Sequence, residues 1–586
     1  MNHAARPSPD IAAAAAAWLT RFAAALAQPD AAALAAAFLP DAHWRDLLAF
    51  TWTIQTTSGA TAIAAALLNA APKVAPINLR LSPDRTAPRH VTRAGTPVIE
   101  AFFTFDTSAG RIDAVARLVT DPAGTPRCWS LATALQSLRG HPEIDGRHQA
   151  EGVEFSRDFG AENWLDKRNR ARAYADHDPA VIVVGGGQAG LGIAARLSRL
   201  GVDTLIVDRE ARVGDNWRKR YHALTLHNEV HVNDLPYMPF PPSFPVFIPK
   251  DKLANWFEAY VEAMDLNFWT STELVHAAYD DTTATWTTTI RRVDGSERVM
   301  RPRHLVFATG VSSIPVITNL PGLETFAGTV LHSSAYTDGT VWNGRRAFVL
   351  GTGNSGHDVA QDLHCAGAHV TMIQRSPSYV VSLPEAQSVY AIYNEGIPIA
   401  DCDLLATAMP YSILKRAYQL STAASRKVDQ PLHDALAARG FQLTFGEDET
   451  GFQMMYLRRG GGYYFNVGCS DLIANGDITL IQYDSIAGFT PQGARLASGQ
   501  TIPADLIVLA TGYKNQQDVA RTYLGDAIAD KIGPVWGFDH GGELRNMWKP
   551  TNQPGLWFTA GSLAQCRIFS RYLALQIKAR ETGIVG

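Results

Sequence analysis

Apolar residues recur at helical spacing over residues 11–27, 30–38 and 61–69. The chain then turns to alternating or β-branched runs at 98–105, 111–120 and 127–136. Helices before a meander predict a small α+β domain over residues 1–140. From 141 to 178, charge, glycine and proline replace periodicity, which predicts a connector that wraps rather than folds alone. At Ala180 the character changes. Residues 180–184 form a continuous apolar run, the mark of a strand buried on both faces of a parallel sheet. Residues 204–207, 347–350 and 369–373 repeat it.

Two of these strands run into glycine-rich loops, and the loops carry the chemistry. The segment GGGQAG after the first strand opens a helical pattern over 191–200. Gly185 permits a tight turn, Gly187 lets the backbone approach a pyrophosphate, and Gly190 lets helix and strand pack closely. The phosphates would rest on the helix N-terminus, beside Gln188. The next strand ends in Asp208, a carboxylate placed to accept hydrogen bonds from a ribose diol. A second segment, GTGNSG, comes after residues 347–350 and supplies Gly351, Gly353, Asn354, Ser355 and Gly356. At the offset that gave Asp208 it carries Gln374, with Arg375 next. A ribose 2′-phosphate is repelled by a carboxylate and gripped by a guanidinium, so the second loop reads as an NADPH site; the alternative for Arg375 is a solvated surface charge.

The strands before the Ala-Thr-Gly segments at 308–310 and 510–512, with Thr511 and Gly512 in the second, read as the points where the chain leaves and re-enters the first domain. The predicted fold class is α/β, two nested dinucleotide-binding (Rossmann-like) domains preceded by the α+β domain. Its boundaries are 179–314 for the first, 315–505 for the second and 506–586 for the return.

Composition narrows the function by exclusion. Apolar content of 46% and charged content of 18% are those of a folded globular chain, and a net charge of −4 without a Lys/Arg run offers nucleic acid no footprint. The five cysteines are scattered, with no C-x-x-C pair, zinc spacing or disulfide framework, which suits a reducing cytoplasm. The expectation is a cytoplasmic protein with no span long and apolar enough for a bilayer. Arg458 to Gly462 reads as a hairpin turn before a strand at 463–465.

Between the loops, Phe326, Gly328, His332 and Tyr336 match FxGxxxHxxxY. Together with both glycine loops and residues 509–513, this pattern resembles the fingerprint of the flavin-containing monooxygenases, over roughly 180–586. The N-terminal extension makes the chain similar to the type II branch, and the order of its elements resembles the cone-shaped nuclear-transport-factor fold. The segment LPYMPFP at 235–241 is similar to plant indole-3-pyruvate monooxygenases, which lack the extension.

The resemblance implies FAD on the first loop, with Arg212 and Trp217 along it, and NADPH on the second. It also implies oxygenation of a small organic substrate by O2 through a C4a-peroxyflavin. The products would be esters or lactones from ketones, or oxygenated sulfur and nitrogen. Open alternatives are oxidative decarboxylation of an indole-3-pyruvate-type acid and a flavin-dependent NADPH reductase or oxidase. The resemblance assigns Asn228 as the catalytic asparagine, whose bland reading is a turn residue. It makes His332 a support of the NADPH side and brings Gln565 and Arg567 into the segment that closes over the flavin. It further implies a homo-oligomer that uses the N-terminal domain. A disulfide reductase shares the nested architecture but needs a cysteine pair the sequence lacks; Trp44, Arg45 and Asp46 read as packing and capping residues. Residues 382–451, where a substrate would be lined, carry little signal.

Overall fold

The computed structural model describes residues 9–121, 123–144 and 159–585. Helices Pro9–Ala27, Ala31–Ala36 and Ala60–Val74 pack on a seven-stranded sheet. Its strands run Ile54–Ser58, Phe38–Leu47, Pro126–Leu138, Gly110–Thr120, Thr96–Asp106 and Ile77–Leu81, with Arg89–Arg93 also on Thr96–Asp106. The apolar pattern predicts the three long strands after residue 95 but not the four earlier ones. Phe38–Leu47 carries Pro and Asp in its first half, and Arg89–Arg93 is nowhere buried, so neither shows an apolar alternation.

The first helix corrects an expectation. Asp10–Ala27 is long and apolar enough to cross a membrane by length and composition. Here its inner face is core: Trp18 stacks on Phe22 at 5.1 Å and donates its indole N–H to the Ala37 carbonyl. The connector also holds more structure than its sequence suggests. Helix Trp164–Ala173, opened by an Asn163–Asp166 capping box, buries no residue, which is why no apolar period betrays it. Residues 145–158 of that connector lie outside the described residues.

The rest of the chain is built on two five-stranded parallel sheets. The first runs Asn267–Trp269, Thr204–Val207, Val181–Val184, His304–Phe307, Leu556–Phe558. The second runs Thr329–His332, Leu506–Leu509, Arg346–Leu350, His369–Gln374, Thr479–Gln482. The second is inserted between the last two strands of the first. One boundary moves: Leu506–Leu509, expected on the return to the first domain, is an interior strand of the second sheet, buried on both faces. The crossing lies just beyond it, where Pro315 bridges Tyr513 and Val316 donates its N–H to the Gly512 carbonyl.

A helical layer, including Ile399–Thr407, Tyr411–Val428 and Gly451–Arg459, separates the second sheet from the N-terminal domain. The expected hairpin at Arg458 to Gly462 is instead the end of Gly451–Arg459, capped by Gly460 at φ +74°, and Tyr463–Asn466 pairs in parallel with Tyr379–Ser382.

Candidate functional site

The two glycine loops have the same build. Gly185 and Gly351 sit at φ +107° and +116°, where a side chain is strained. A Cβ on Gly190 would lie 1.9 Å from the Gly185 carbonyl oxygen, and one on Gly356 2.1 Å from that of Gly351. These four glycines are demanded by the chain itself. Gly187 and Gly353 are not: their φ is negative, and a Cβ would meet only the end of the Asn216 side chain at 2.9 Å or the Tyr463 carbonyl at 3.6 Å. Each caps a twelve-residue helix, Gln188–Arg199 or Asn354–Cys365, with no side-chain cap, which leaves the first N–H groups for an anion.

Around the first loop lies a cavity of about 600 Å³ that includes Gly185 to Gln188, Asp208, Asn216, Trp217 and Gly561. Asp208 accepts from the N–H groups of Gly186 at 2.5 Å and Glu210 at 2.8 Å. The Thr309 hydroxyl, also lining the cavity, is buried and has no partner among the described residues. Trp217 Nε1 donates to Gln188 Oε1 at 3.3 Å, and Gln188 Nε2 donates to the Gly561 carbonyl at 3.2 Å. An orphaned hydroxyl, an open glycine and an uncapped helix beside a ribose-ready carboxylate fit FAD. Arg212 is a correction: it is exposed, does not line the cavity, and pairs with Glu258, so it holds a neighbouring helix instead of the cofactor.

At the second loop, Asn354 Oδ1 accepts from the Phe465 N–H at 3.0 Å, fixing the loop to Tyr463–Asn466, and Ser355 keeps its hydroxyl without a partner among the described residues. Gln374 does not face a ribose. It is fully buried, donating to the Gln442 carbonyl at 2.9 Å and accepting from the Gln442 N–H at 2.8 Å. Arg375 beside it is exposed and has no hydrogen bond or ion pair among the described residues. A free guanidinium at the strand end, with the carboxylate position withdrawn into the core, fits a 2′-phosphorylated dinucleotide.

The fingerprint residues brace the crossing between the sheets. His332 Nε2 lies 3.1 Å from the Gly512 carbonyl and its Nδ1 accepts from the Ser334 N–H. Tyr336 donates to Asp362 at 2.6 Å, on the helix of the second loop. Thr511 spends its hydroxyl on the Val316 carbonyl at 2.5 Å. Thr511, Gly512 and His332 thus hold the joint between the two sites.

Asn228 lies on Thr225–Glu229, and its Nδ2 donates to the Tyr390 hydroxyl oxygen at 3.1 Å. Burial raises the Tyr390 pKa, so the phenol beside the chamber stays protonated. That chamber, about 440 Å³, is the feature sequence reasoning missed. Its walls come from the silent stretch after residue 382, from the start of helix Leu563–Glu581, and from the N-terminal domain. Ser562 and Gln565 line it while Gly561 lines the nucleotide cavity, so the two spaces share one turn of chain. Gln565 closes the helix capping box with Ser562 and accepts from Tyr456 at 2.8 Å. Arg567 is committed elsewhere, to Asp403 and the carbonyls of Val232 and Asp234.

The N-terminal domain is clamped to this wall. Strand alternation turns Trp44 and Asp46 into their own domain, where Asp46 accepts from Thr51 and Thr133, and turns Arg45 outward. Arg45 grips Glu543 through Nε at 2.9 Å and Nη2 at 2.6 Å; it is a docking residue rather than a packing one. Buried Glu100 accepts from Arg89, Arg93 and Arg117. Burial pushes its carboxyl up, and the Arg93 hydrogen bond with the charges of Arg117 and Arg93 outweighs that, holding it at about 2.

Known proteins are similar to part of this chain. A family model described as pyridine nucleotide-disulphide oxidoreductase matches residues 182–446. All five cysteines are free, so that likeness is of scaffold and not of a thiol pair. The chain is 32% identical over 338 residues to indole-3-pyruvate monooxygenase YUCCA1 of Oryza sativa subsp. japonica, covering 58% of this chain and 77% of that one. It is also 32% identical over 338 residues to probable indole-3-pyruvate monooxygenase YUCCA4 of Arabidopsis thaliana, covering 58% and 76%. In fold it is similar to an ε-caprolactone-bound cyclohexanone monooxygenase, with a TM-score of 0.51 and 19% identity over 70% of this chain and 89% of that one.

Proposed function

The chain belongs to the class B flavin-containing monooxygenases, NADPH-dependent enzymes that carry FAD, and from that premise we propose that it oxygenates a carbonyl compound bound in the chamber between its N-terminal domain and its helical layer. The observation that carries this is the shared turn at Gly561 and Ser562, which sets the chamber against the nucleotide cavity. Bound together, FAD and NADPH supply the hydride and the activated oxygen. The protein's part is placement. Gly187 and the helix N-terminus behind it hold the pyrophosphate, Asp208 the ribose, and Arg375 the 2′-phosphate of NADPH. The Tyr390 phenol, steadied by Asn228, is the donor for a substrate carbonyl. The apolar bulk of the chamber excludes water from the reacting atoms.

The named activity of the rice and Arabidopsis relatives supports a 2-oxo acid as substrate. The 2-oxo acid, O2, NADPH and one proton then give the carboxylate one carbon shorter, CO2, NADP+ and water. The apolar lining of the chamber favours a second reading, a neutral ketone converted to an ester or lactone. The test is NADPH and O2 consumption with indole-3-pyruvate, cyclohexanone and thioanisole, products identified. Oxygenated product from either carbonyl compound is expected. Hydrogen peroxide as the sole product with every compound would overturn the proposal in favour of an NADPH oxidase.

A further inference from the structure

The chamber is apolar over most of its surface, yet its charged residues are mostly of one sign. Arg45, Arg93, Arg117 and Lys549 line it against a single carboxylate, Glu543. Three of these four cations come from the N-terminal domain. The remaining balancing carboxylates stand behind the wall: Glu100 is fully buried beneath Arg93 and Arg117, Glu395 pairs with Arg89 and Arg93, and Asp539 pairs with Lys549 at 2.6 Å. Counted as a whole, Arg45, Arg89, Arg93, Arg117 and Lys549 are five cations, and Glu100, Glu395, Glu543 and Asp539 are four carboxylates. The set leaves one positive charge over, in the cluster of Arg89, Arg93 and Arg117 against Glu100 and Glu395. Most of its cations line the space, and three of its four anions stand outside it.

Donor capacity remains as well. Arg45 donates through Nε, Nη1 and Nη2 to Glu543 and the Thr407 carbonyl. A guanidinium has about five N–H donors, so two are left over. In a largely apolar pocket such an excess attracts an anion more strongly than on the open surface, because the screening that weakens surface charges is reduced.

We propose that the N-terminal domain is a wall of the substrate chamber and that Arg45 and Arg93, with Arg117 buried behind them and committed to Glu100 and the Ala408 and Leu405 carbonyls, select an apolar substrate bearing a carboxylate. This rests on the chamber being the site of oxygenation. It deepens that reading by assigning the choice of substrate to a domain outside both dinucleotide folds. The Tyr390 hydroxyl serves the carbonyl, and the arginine wall serves the acid.

The holoenzyme is tested with indole-3-pyruvate and its methyl ester, which share the aryl group and the ketone but differ in charge. The KM for the acid should be about tenfold or more below that for the ester. Substituting the arginines would strand buried Glu100 or Glu543 and risk the fold, so the informative variant adds a charge instead. Thr92 lines the chamber from an exposed position on Arg89–Arg93. Thr92→Glu should raise the KM for the acid by about tenfold and that for the ester by less than about twofold. Equal KM values for acid and ester in the unmodified enzyme would overturn the inference. So would Thr92→Glu moving both alike, since the domain would then shape the chamber without selecting charge. A separate readout isolates the underlying reading. If neither compound is oxygenated but the acid alone perturbs the flavin absorbance on titration, the carboxylate site stands and the assignment of the reaction falls.

Discussion

The two nucleotide loops share a backbone and differ at the end of the next strand. After the first loop, Asp208 stays at the cavity with its oxygens held by the Gly186 and Glu210 N–H groups. After the second, the residue at the same offset, Gln374, is drawn into the core and bonded to Gln442, and the next residue, Arg375, is exposed with no partner among the described residues. On the proposed assignment a glycine loop specifies a pyrophosphate and little else. We propose that the choice of dinucleotide falls one strand later, on whether a single side chain is turned in or out.

The largest effect that can break this comparison comes from the loops. Gly187→Val adds a side chain to an open face whose near neighbour is the end of an amide side chain, so the protein should fold but lose flavin absorbance and at least about 100-fold in activity. Gly353→Val should keep the colour and lose reduction by NADPH. A flavin-replete Gly187→Val protein would show that the first loop has been given the wrong ligand.

Next is Arg375→Ala, which removes a charge-assisted contact worth about 1.5–3 kcal/mol and should raise the KM for NADPH by roughly tenfold to a hundredfold while leaving NADH unchanged. Equal shifts with both coenzymes would reduce Arg375 to a surface charge. Asn228→Ala, which removes the donor to the Tyr390 hydroxyl, should accept hydride within about twofold of the normal rate yet send most oxygen to hydrogen peroxide, measured by a peroxide assay beside stopped-flow reduction. Tight coupling in that variant would leave Asn228 as a support for Tyr390 alone. Smallest in catalytic effect is Gln374→Leu, which should cost about 1–3 kcal/mol of stability by stranding the Gln442 backbone, with no change in coenzyme preference. A switch in preference would put Gln374 back at the ribose.

Much of this is legible in the sequence because it depends on local backbone geometry. The glycines, the apolar strands and the fingerprint spacing each fix conformation within a few residues. Arg212 and Gln374 fall elsewhere than expected because an offset gives position along a strand but not the competition for a side chain: Glu258 claims the first and Gln442 the second. The chamber is invisible for a different reason. Tyr390, Gln453 and Arg117 meet only through tertiary packing, and helices such as Gln387–Asn394 carry no motif. Arg45 reads as a packing or capping residue in sequence because its partner lies 498 positions away.

That separation also has a consequence for how the chain is made. The N-terminal domain is synthesised before the two dinucleotide-binding folds and has its own helices and sheet. Its outward arginines, however, must then wait for partners that are synthesised much later: Glu395 for Arg93, Asp401 for Arg85, and Glu543 for Arg45 last of all. Asp113 and Glu100 answer Arg85 and Arg93 from within the domain meanwhile, and Arg45 is the one of the three left without its carboxylate. A translation arrest before Glu543 would therefore release a chain whose Arg45 lacks its clamp and whose chamber lacks the wall supplied by residues 543–569.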